Sequence, residues 1–275
     1  MKIGINRWTL PSHLPLTECF TLVKQAGFDS IEINIAEDGE LTPSTDEQGV
    51  KSLLAQAHAS GLEISSLSTG LGWRYPITSP DPAIRAQGAA LIRGQLQAAQ
   101  WLGVDTILVV PGIVNADIAY DDAYQRAQEV LKELAPVAQQ MGVAIGVENV
   151  WNKFLLSPLE FARFLDEINA ANGGDSVGAY FDVGNILQYG YPDQWIKILG
   201  TRIKKVHVKD FKSNIGNMSA FCNPLQGDVP WHKVREALNK IGYDGYITAE
   251  VDGYKTEFTV GLKHINEALR AIFTV

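Results

Sequence analysis

Four residues in this chain combine types that do chemistry with surroundings that do not favour charge. Glu148 closes the run VAIGVEN, Asp182 lies in YFDVGN, His207 in KKVHVKDF and Glu250 in YITAEV. An ionised carboxylate taken into apolar surroundings needs its own compensation, and three that converged would repel unless a cation neutralised them. Three oxygen ligands and one imidazole suit a divalent ion, with Mn²⁺ first and Zn²⁺, Co²⁺ or Mg²⁺ as the other choices. No competing ligand set is present, because the two cysteines, Cys19 and Cys222, have no CxxC spacing and no HExxH stretch occurs. Taken singly, each of the four has a duller reading: a strand carboxylate can anchor a loop, and a strand histidine can be a satisfied core residue. Taken together, packing explains them poorly. The remaining histidines fall elsewhere, His58, His232 and His264 in helical patterns and His13 in a proline-flanked loop.

Such a constellation needs elements that bring distant segments to one point. Seven times a helical pattern ends in glycine and a strand follows, at Gly27, Gly61, Gly103, Gly142, Gly173 or Gly174, Gly200 and Gly242. Glycine just past a helix takes the left-handed cap conformation without a Cβ clash. Seven such returns, preceded by KIGIN at residues 2–6, require eight strands. Segments such as 123–140 and 158–170 have helical spacing, while DTILVVPG and VAIGVEN are nearly continuous apolar runs of the kind buried on both faces of a parallel sheet. Eight β/α units in 275 residues point to a single-domain (β/α)₈ TIM barrel over residues 1–275. The rival is an open doubly wound sheet, which carries a glycine-rich turn after its first strand. Here that turn is NRWTLPSH, without glycine.

In a barrel of this kind chemistry collects at the C-terminal ends of the strands. The polar residues expected there are Glu32 in the second strand, Glu148 and Asn149 after the fifth, Asp182 after the sixth, His207 in the seventh and Glu250 after the eighth. Trp8, Trp73, Trp151 and Phe154 fall in strand-end loops, where aromatic walls can exclude water or stack on a ligand face; core packing is the alternative for at least one. The net charge of −8 argues against nucleic acid, whose binding rests on clustered Lys and Arg. No apolar stretch approaches the roughly 20 residues of a membrane span. With two cysteines and no signal-like start, the expectation is a cytoplasmic protein.

With these motifs in view, the chain resembles the xylose isomerase-like barrels, in particular the sugar and sugar-phosphate epimerases and isomerases. VENVWN, YFDVGN, VHVKDF, LQGDVPW and IGYDGYITAEV carry the resemblance, which is strongest over residues 143–252. In ketose 3-epimerases and in L-ribulose- or L-xylulose-5-phosphate 3-epimerases the positions matching Glu148, Asp182, His207 and Glu250 bind the metal, and the two glutamates also exchange the substrate proton. The resemblance therefore implies a divalent-metal-dependent epimerase of a ketose or ketose phosphate, working through an enediolate, with Glu148 and Glu250 as the catalytic pair. An aldose–ketose isomerase or an inosose-type dehydratase would use the same site, and a non-catalytic sugar-binding barrel is the alternative from outside the enzymes. Substrate contacts are expected from Trp8, Glu32, Asn149, Trp151, Lys153, Asn185 and Lys209, the lysines polarising an oxygen or meeting a phosphate. The implied partner is a small sugar or sugar phosphate, and a homodimer or tetramer is open to the chain.

Many relatives carry histidine where this chain has Asn185, three residues after Asp182. Asparagine donates a hydrogen bond but carries no proton at neutral pH, so the departure bears on substrate identity. The endonuclease IV branch, with its histidine-rich multi-metal site, fits poorly with five histidines and an acidic balance. Asp228, in LQGDVPW, is expected to cap a helix beginning near Pro230 and Trp231.

Overall fold

The alternating pattern of the first strands explains the architecture. In KIGIN the isoleucines Ile3 and Ile5 share one face and Gly4 and Asn6 the other, and in SIEINI the same alternation separates Ile31 and Ile33 from Ser30 and Glu32. The isoleucines are fully buried in one large apolar cluster with helix residues such as Phe20, Val23, Leu53 and Leu96. The polar set faces the barrel interior.

The structure, a computed structural model, describes residues 1–274. Eight parallel strands close into a barrel: β1 (Lys2–Asn6), β2 (Ser30–Ile35), β3 (Glu63–Thr69), β4 (Thr106–Val109), β5 (Ala144–Glu148), β6 (Val177–Asp182), β7 (Ile203–Val208) and, after a short insertion, β10 (Tyr246–Ala249). The insertion is an antiparallel pair, β8 (Asp210–Phe211) and β9 (Phe221–Cys222), in the long loop after β7. The helices α1 (Leu16–Gln25), α2 (Glu47–Ala59), α3 (Pro82–Leu102), α4 (Tyr120–Met141), α5 (Pro158–Asn172), α6 (Pro192–Leu199), α7 (Trp231–Lys240) and α8 (Phe258–Phe273) alternate with the barrel strands. The closed order excludes the open doubly wound sheet. Among the described residues, no helix is long and apolar enough to cross a membrane.

The glycine returns fall where the sequence puts them. Gly103 ends α3 and Gly142 ends α4 at φ of 71° and 67°, each donating its N–H back to the last turn of its helix. Two sequence expectations differ from the structure. Glu32 lies in mid-strand, because β2 runs on to Ile35. Asp228 does not cap α7: its Oδ2 accepts from the Ser213 backbone N–H at 2.8 Å, and the helix starts at Trp231 with Pro230 at its N-cap position and no side-chain cap. Asp210 ties that helix down instead, accepting from Val229 N at 3.0 Å and Trp231 Nε1 at 2.9 Å.

Strand register fixes which inward residues become neighbours. Asn6, Glu32 and Ser66 lie side by side across β1, β2 and β3, and Asp182, His207 and Thr248 across β6, β7 and β10. Gly146, two residues before Glu148 on β5, leaves room for the Tyr180 ring; a Cβ there would lie 2.9 Å from Tyr180 Cδ2. Tyr180 is fully buried and extends into the interior toward Glu32 and Ser66.

Candidate active site

Four strands deliver the four residues singled out by type. Glu148 is the last residue of β5, Asp182 the last of β6, His207 the penultimate residue of β7, and Glu250 follows β10 directly. One ligand atom from each lies within 4.8 Å of the others. Asp182 and His207 are fully buried and Glu148 nearly so, whereas Glu250 is partly open.

The electrostatics are those of a site short of positive charge. Burial, with the Glu250 charge behind it, pushes the Glu148 carboxyl up to about 7 against the opposing pull of His207. Burial likewise raises Asp182. For Glu250, burial is outweighed by the charges of Lys209 and His207, which hold it below the usual carboxylate range. His207 is driven well above an ordinary imidazole, since burial is outweighed by the surrounding Glu32 and Glu250 charges and by its contact with Glu148.

Lys209 reaches into this cluster, its Nζ 2.5 Å from Glu250 Oε2 and 2.8 Å from Asp182 Oδ2. Burial disfavours its charge, but the charges of Asp182, Glu250 and Glu148 outweigh that and keep it an ammonium. Asp182 Oδ2 makes no hydrogen bond of good geometry in this arrangement, while Oδ1 accepts from the Asn185 backbone N–H at 2.8 Å. A buried carboxylate oxygen left without a well-aligned donor, facing two other carboxylates and an imidazole, fits a divalent cation. Glu148, Asp182, His207 and Glu250 are the residues that would hold it.

Above the cluster, at the C-terminal ends of the strands, opens a cavity of about 600 Å³. Glu148, Asn185, Lys209 and Glu250 are part of its polar lining, with Thr69, Asn223, Gln226 and Asp252, and Trp8, Trp73, Trp151 and Phe221 form much of its apolar wall. Trp151 packs edge-on against Phe211 at 5.5 Å, and its Nε1 donates to Asn185 O at 2.8 Å, so the wall and the polar lining brace each other.

Not every residue named from sequence lies in this cavity. Trp8, Trp151, Asn185 and Lys209 line it. Asn149 is buried beside it with its amide engaged by the Asp182 backbone. Lys153 is exposed, sits at a φ of 60° and is not among the lining residues. Phe154 is the aromatic that went to the core, where it meets Tyr120, Tyr124 and Phe164 edge-on. Glu32 is fully buried beneath the cavity, 2.9 Å from His207 Nε2. Asn6, Ser66 and Tyr180, which also reach Glu32, were not singled out. Asn6 was legible as the polar end of the first strand. Tyr180 could have been found two residues before Asp182, on the same inward face.

An eight-stranded parallel barrel with a carboxylate–imidazole cluster at the C-terminal mouth defines a class of barrels built for small-molecule chemistry. The profile of the xylose isomerase-like TIM barrel family matches residues 20–272, and the chain belongs to that family. Among curated proteins it is 28% identical over 252 residues to L-ribulose-5-phosphate 3-epimerase UlaE of Salmonella heidelberg (strain SL476), covering 89% of this chain and 85% of that one. Among solved structures, D-psicose 3-epimerase from Clostridium cellulolyticum H10, solved with D-tagatose, superposes with a TM-score of 0.83 at 20% identity over 99% of both chains. The IOLI protein, solved with a zinc atom, superposes with a TM-score of 0.82 at 19% identity over 100% of this chain and 98% of that one.

Proposed function

We propose that this protein is an isomerase, a divalent-metal-dependent epimerase of a ketose or ketose phosphate, with Glu148 and Glu250 as its acid–base pair. The observation that carries the reading is the placement of two glutamates on non-adjacent strands. Both face the same cavity, with Asp182 and His207 between them in strand order. The epimerase relatives and the family agree with it.

A divalent ion held by the four residues would acidify the hydrogen on the carbon beside a carbonyl and stabilise the negative charge that develops there. Mn²⁺ is the ion we propose first, and the zinc of the IOLI protein makes Zn²⁺ the next. One glutamate takes the proton from that carbon, and the other returns one on the opposite face, inverting the centre. Before a cation binds, burial favours the proton on Glu148, and Lys209 holds Glu250 ionised. With a cation held there, both glutamates would give up protons more readily, and the one that returns a proton would first take it up from solvent. The tryptophans and Phe221 exclude water from the reacting carbon and offer flat faces to the C–H side of a sugar. Asn185 and Lys209 line the same cavity, and we assign them to meet substrate oxygens.

A panel of ketoses and ketose phosphates, incubated with added Mn²⁺ and analysed for products, tests the reading. An epimer is the expected product. An aldose would favour the isomerase, a dehydrated ketone the lyase, and no conversion across the panel would leave a sugar-binding barrel.

A further inference from the structure

Glu32 sits at the centre of a buried polar layer beneath the cavity, and every contact it makes is with a group able to donate. Its Oε1 accepts from Asn6 Nδ2 and lies 2.9 Å from His207 Nε2. Its Oε2 accepts from Ser66 Oγ at 2.6 Å and from the Tyr180 hydroxyl. Both register and packing enforce this. Asn6 and Ser66 flank Glu32 on the adjacent strands, and Gly146 leaves the space through which Tyr180 reaches it from across the barrel. The carboxylate is fully buried, and it does not line the cavity.

From this geometry we infer that Glu32 is a positioning residue that fixes the tautomer of His207, keeping the hydrogen on Nε2 and reserving Nδ1 for the cation. An ionised carboxylate only accepts, and it has about four lone-pair sites. Asn6, Ser66 and Tyr180 occupy three, so the imidazole nitrogen facing the fourth must carry a hydrogen. The other ring nitrogen, Nδ1, is then the one that would give its lone pair to a cation. Nδ1 is 3.4 Å from Glu148 Oε1 and 3.8 Å from Glu250 Oε2, a place for a shared cation rather than for a neutral lone pair. A carboxylate behind a ligating imidazole also raises its basicity and stops the ring from turning. Tyr180 adds to the restraint, its ring edge-on to the imidazole with centroids 4.6 Å apart. The inference rests on His207 being a ligand, as proposed above, and adds which nitrogen ligates and what chooses it.

Two measurements test it. Zn²⁺-loaded protein with ¹⁵N-labelled histidine should show His207 with hydrogen on Nε2 and the Nδ1 resonance shifted by the metal. A ring ligating through Nε2 would overturn the inference. The second is a cycle of Zn²⁺ affinities. Glu32→Gln keeps nearly the same volume, and the Ser66 and Tyr180 hydroxyls can rotate to accept from its amide. It should weaken Zn²⁺ binding by about 10–100-fold in the wild-type background and by almost nothing in His207→Ala, because the effect passes through His207. Equal losses in both backgrounds would overturn the positioning role. Undiminished affinity in His207→Ala alone would overturn the ligand reading beneath it.

Discussion

The side chain of Asn149 clasps the backbone of Asp182 in both directions, Nδ2 donating to its carbonyl at 2.8 Å and Oδ1 accepting from its N–H at 2.9 Å. It continues the β5–β6 pairing one step beyond the last paired residue of β5 and ties down the backbone of Asp182. Asn149→Ala would leave a buried N–H and carbonyl without partners and should cost about 2 kcal/mol of stability in urea unfolding. Metal affinity should fall with it. A raised KM at unchanged stability and metal affinity would instead mark Asn149 as a substrate contact.

Lys209 holds two of the candidate ligand oxygens with its ammonium, on Glu250 and Asp182. A divalent ion must displace or share those contacts. Lys209→Met should destabilise the metal-free protein by about 3 kcal/mol, because two buried carboxylates lose their partner. The same change should tighten metal binding, measured by calorimetry. Weaker binding in that variant would mean that Lys209 supports the ion rather than competing with it.

The metal-free protein should lose stability as pH rises from about 5 to about 8. Glu148 stands at about 7 in the folded chain against an ordinary 4.5, so its stabilising contribution is complete below pH 4.5 and is lost as pH climbs through about 7. His207, raised well above 6.5, has the same sign: its contribution is complete below its ordinary value and is lost as pH rises through the raised one. Glu250 and Glu32 are lowered, Glu32 to about 2, so their contributions are lost only as pH falls below the usual carboxylate range. Melting temperatures with chelator present should therefore decline across this window, and Glu148→Gln should flatten the slope. A melting temperature that rises with pH would contradict the charge arrangement.

Gly146→Ala places a methyl 2.9 Å from the Tyr180 ring and 3.1 Å from the Ile107 carbonyl. Overpacking of this kind costs about 1–3 kcal/mol. It should also shift Tyr180 off Glu32, so metal affinity should fall along with stability. Unchanged affinity would show that the polar layer tolerates movement of Tyr180.

The barrel was legible because its punctuation is local. Glycines 27, 61, 103, 142, 173, 200 and 242 all take positive φ, and each stands between a helix and the strand that follows. The candidate ligands were legible for a related reason: Glu148, Asp182 and Glu250 are charged residues at the ends of apolar strands, where burial makes a charge conspicuous. The layer beneath them was harder to read. Asn6, Ser66 and Tyr180 are ordinary polar or aromatic residues in sequence, and only closure of the barrel brings β3 and β6 to the same carboxylate. Asp228 was misread because local sequence favours the nearest cap, while the loop bent its carboxylate toward Ser213 and left Asp210 to anchor the helix. Phe154 failed as a wall residue because its ring turned under the loop into the Tyr120–Phe164 cluster.

The central claim is the acid–base pair, and solvent isotope incorporation tests it most directly. Epimerisation of an active ketose in D₂O by the metal-loaded protein should place solvent deuterium on the inverted carbon of the product. Glu148→Gln and Glu250→Gln should each lower turnover by roughly 10²–10⁴-fold while the barrel stays folded. An inverted product that carries no solvent deuterium would contradict the two-glutamate account.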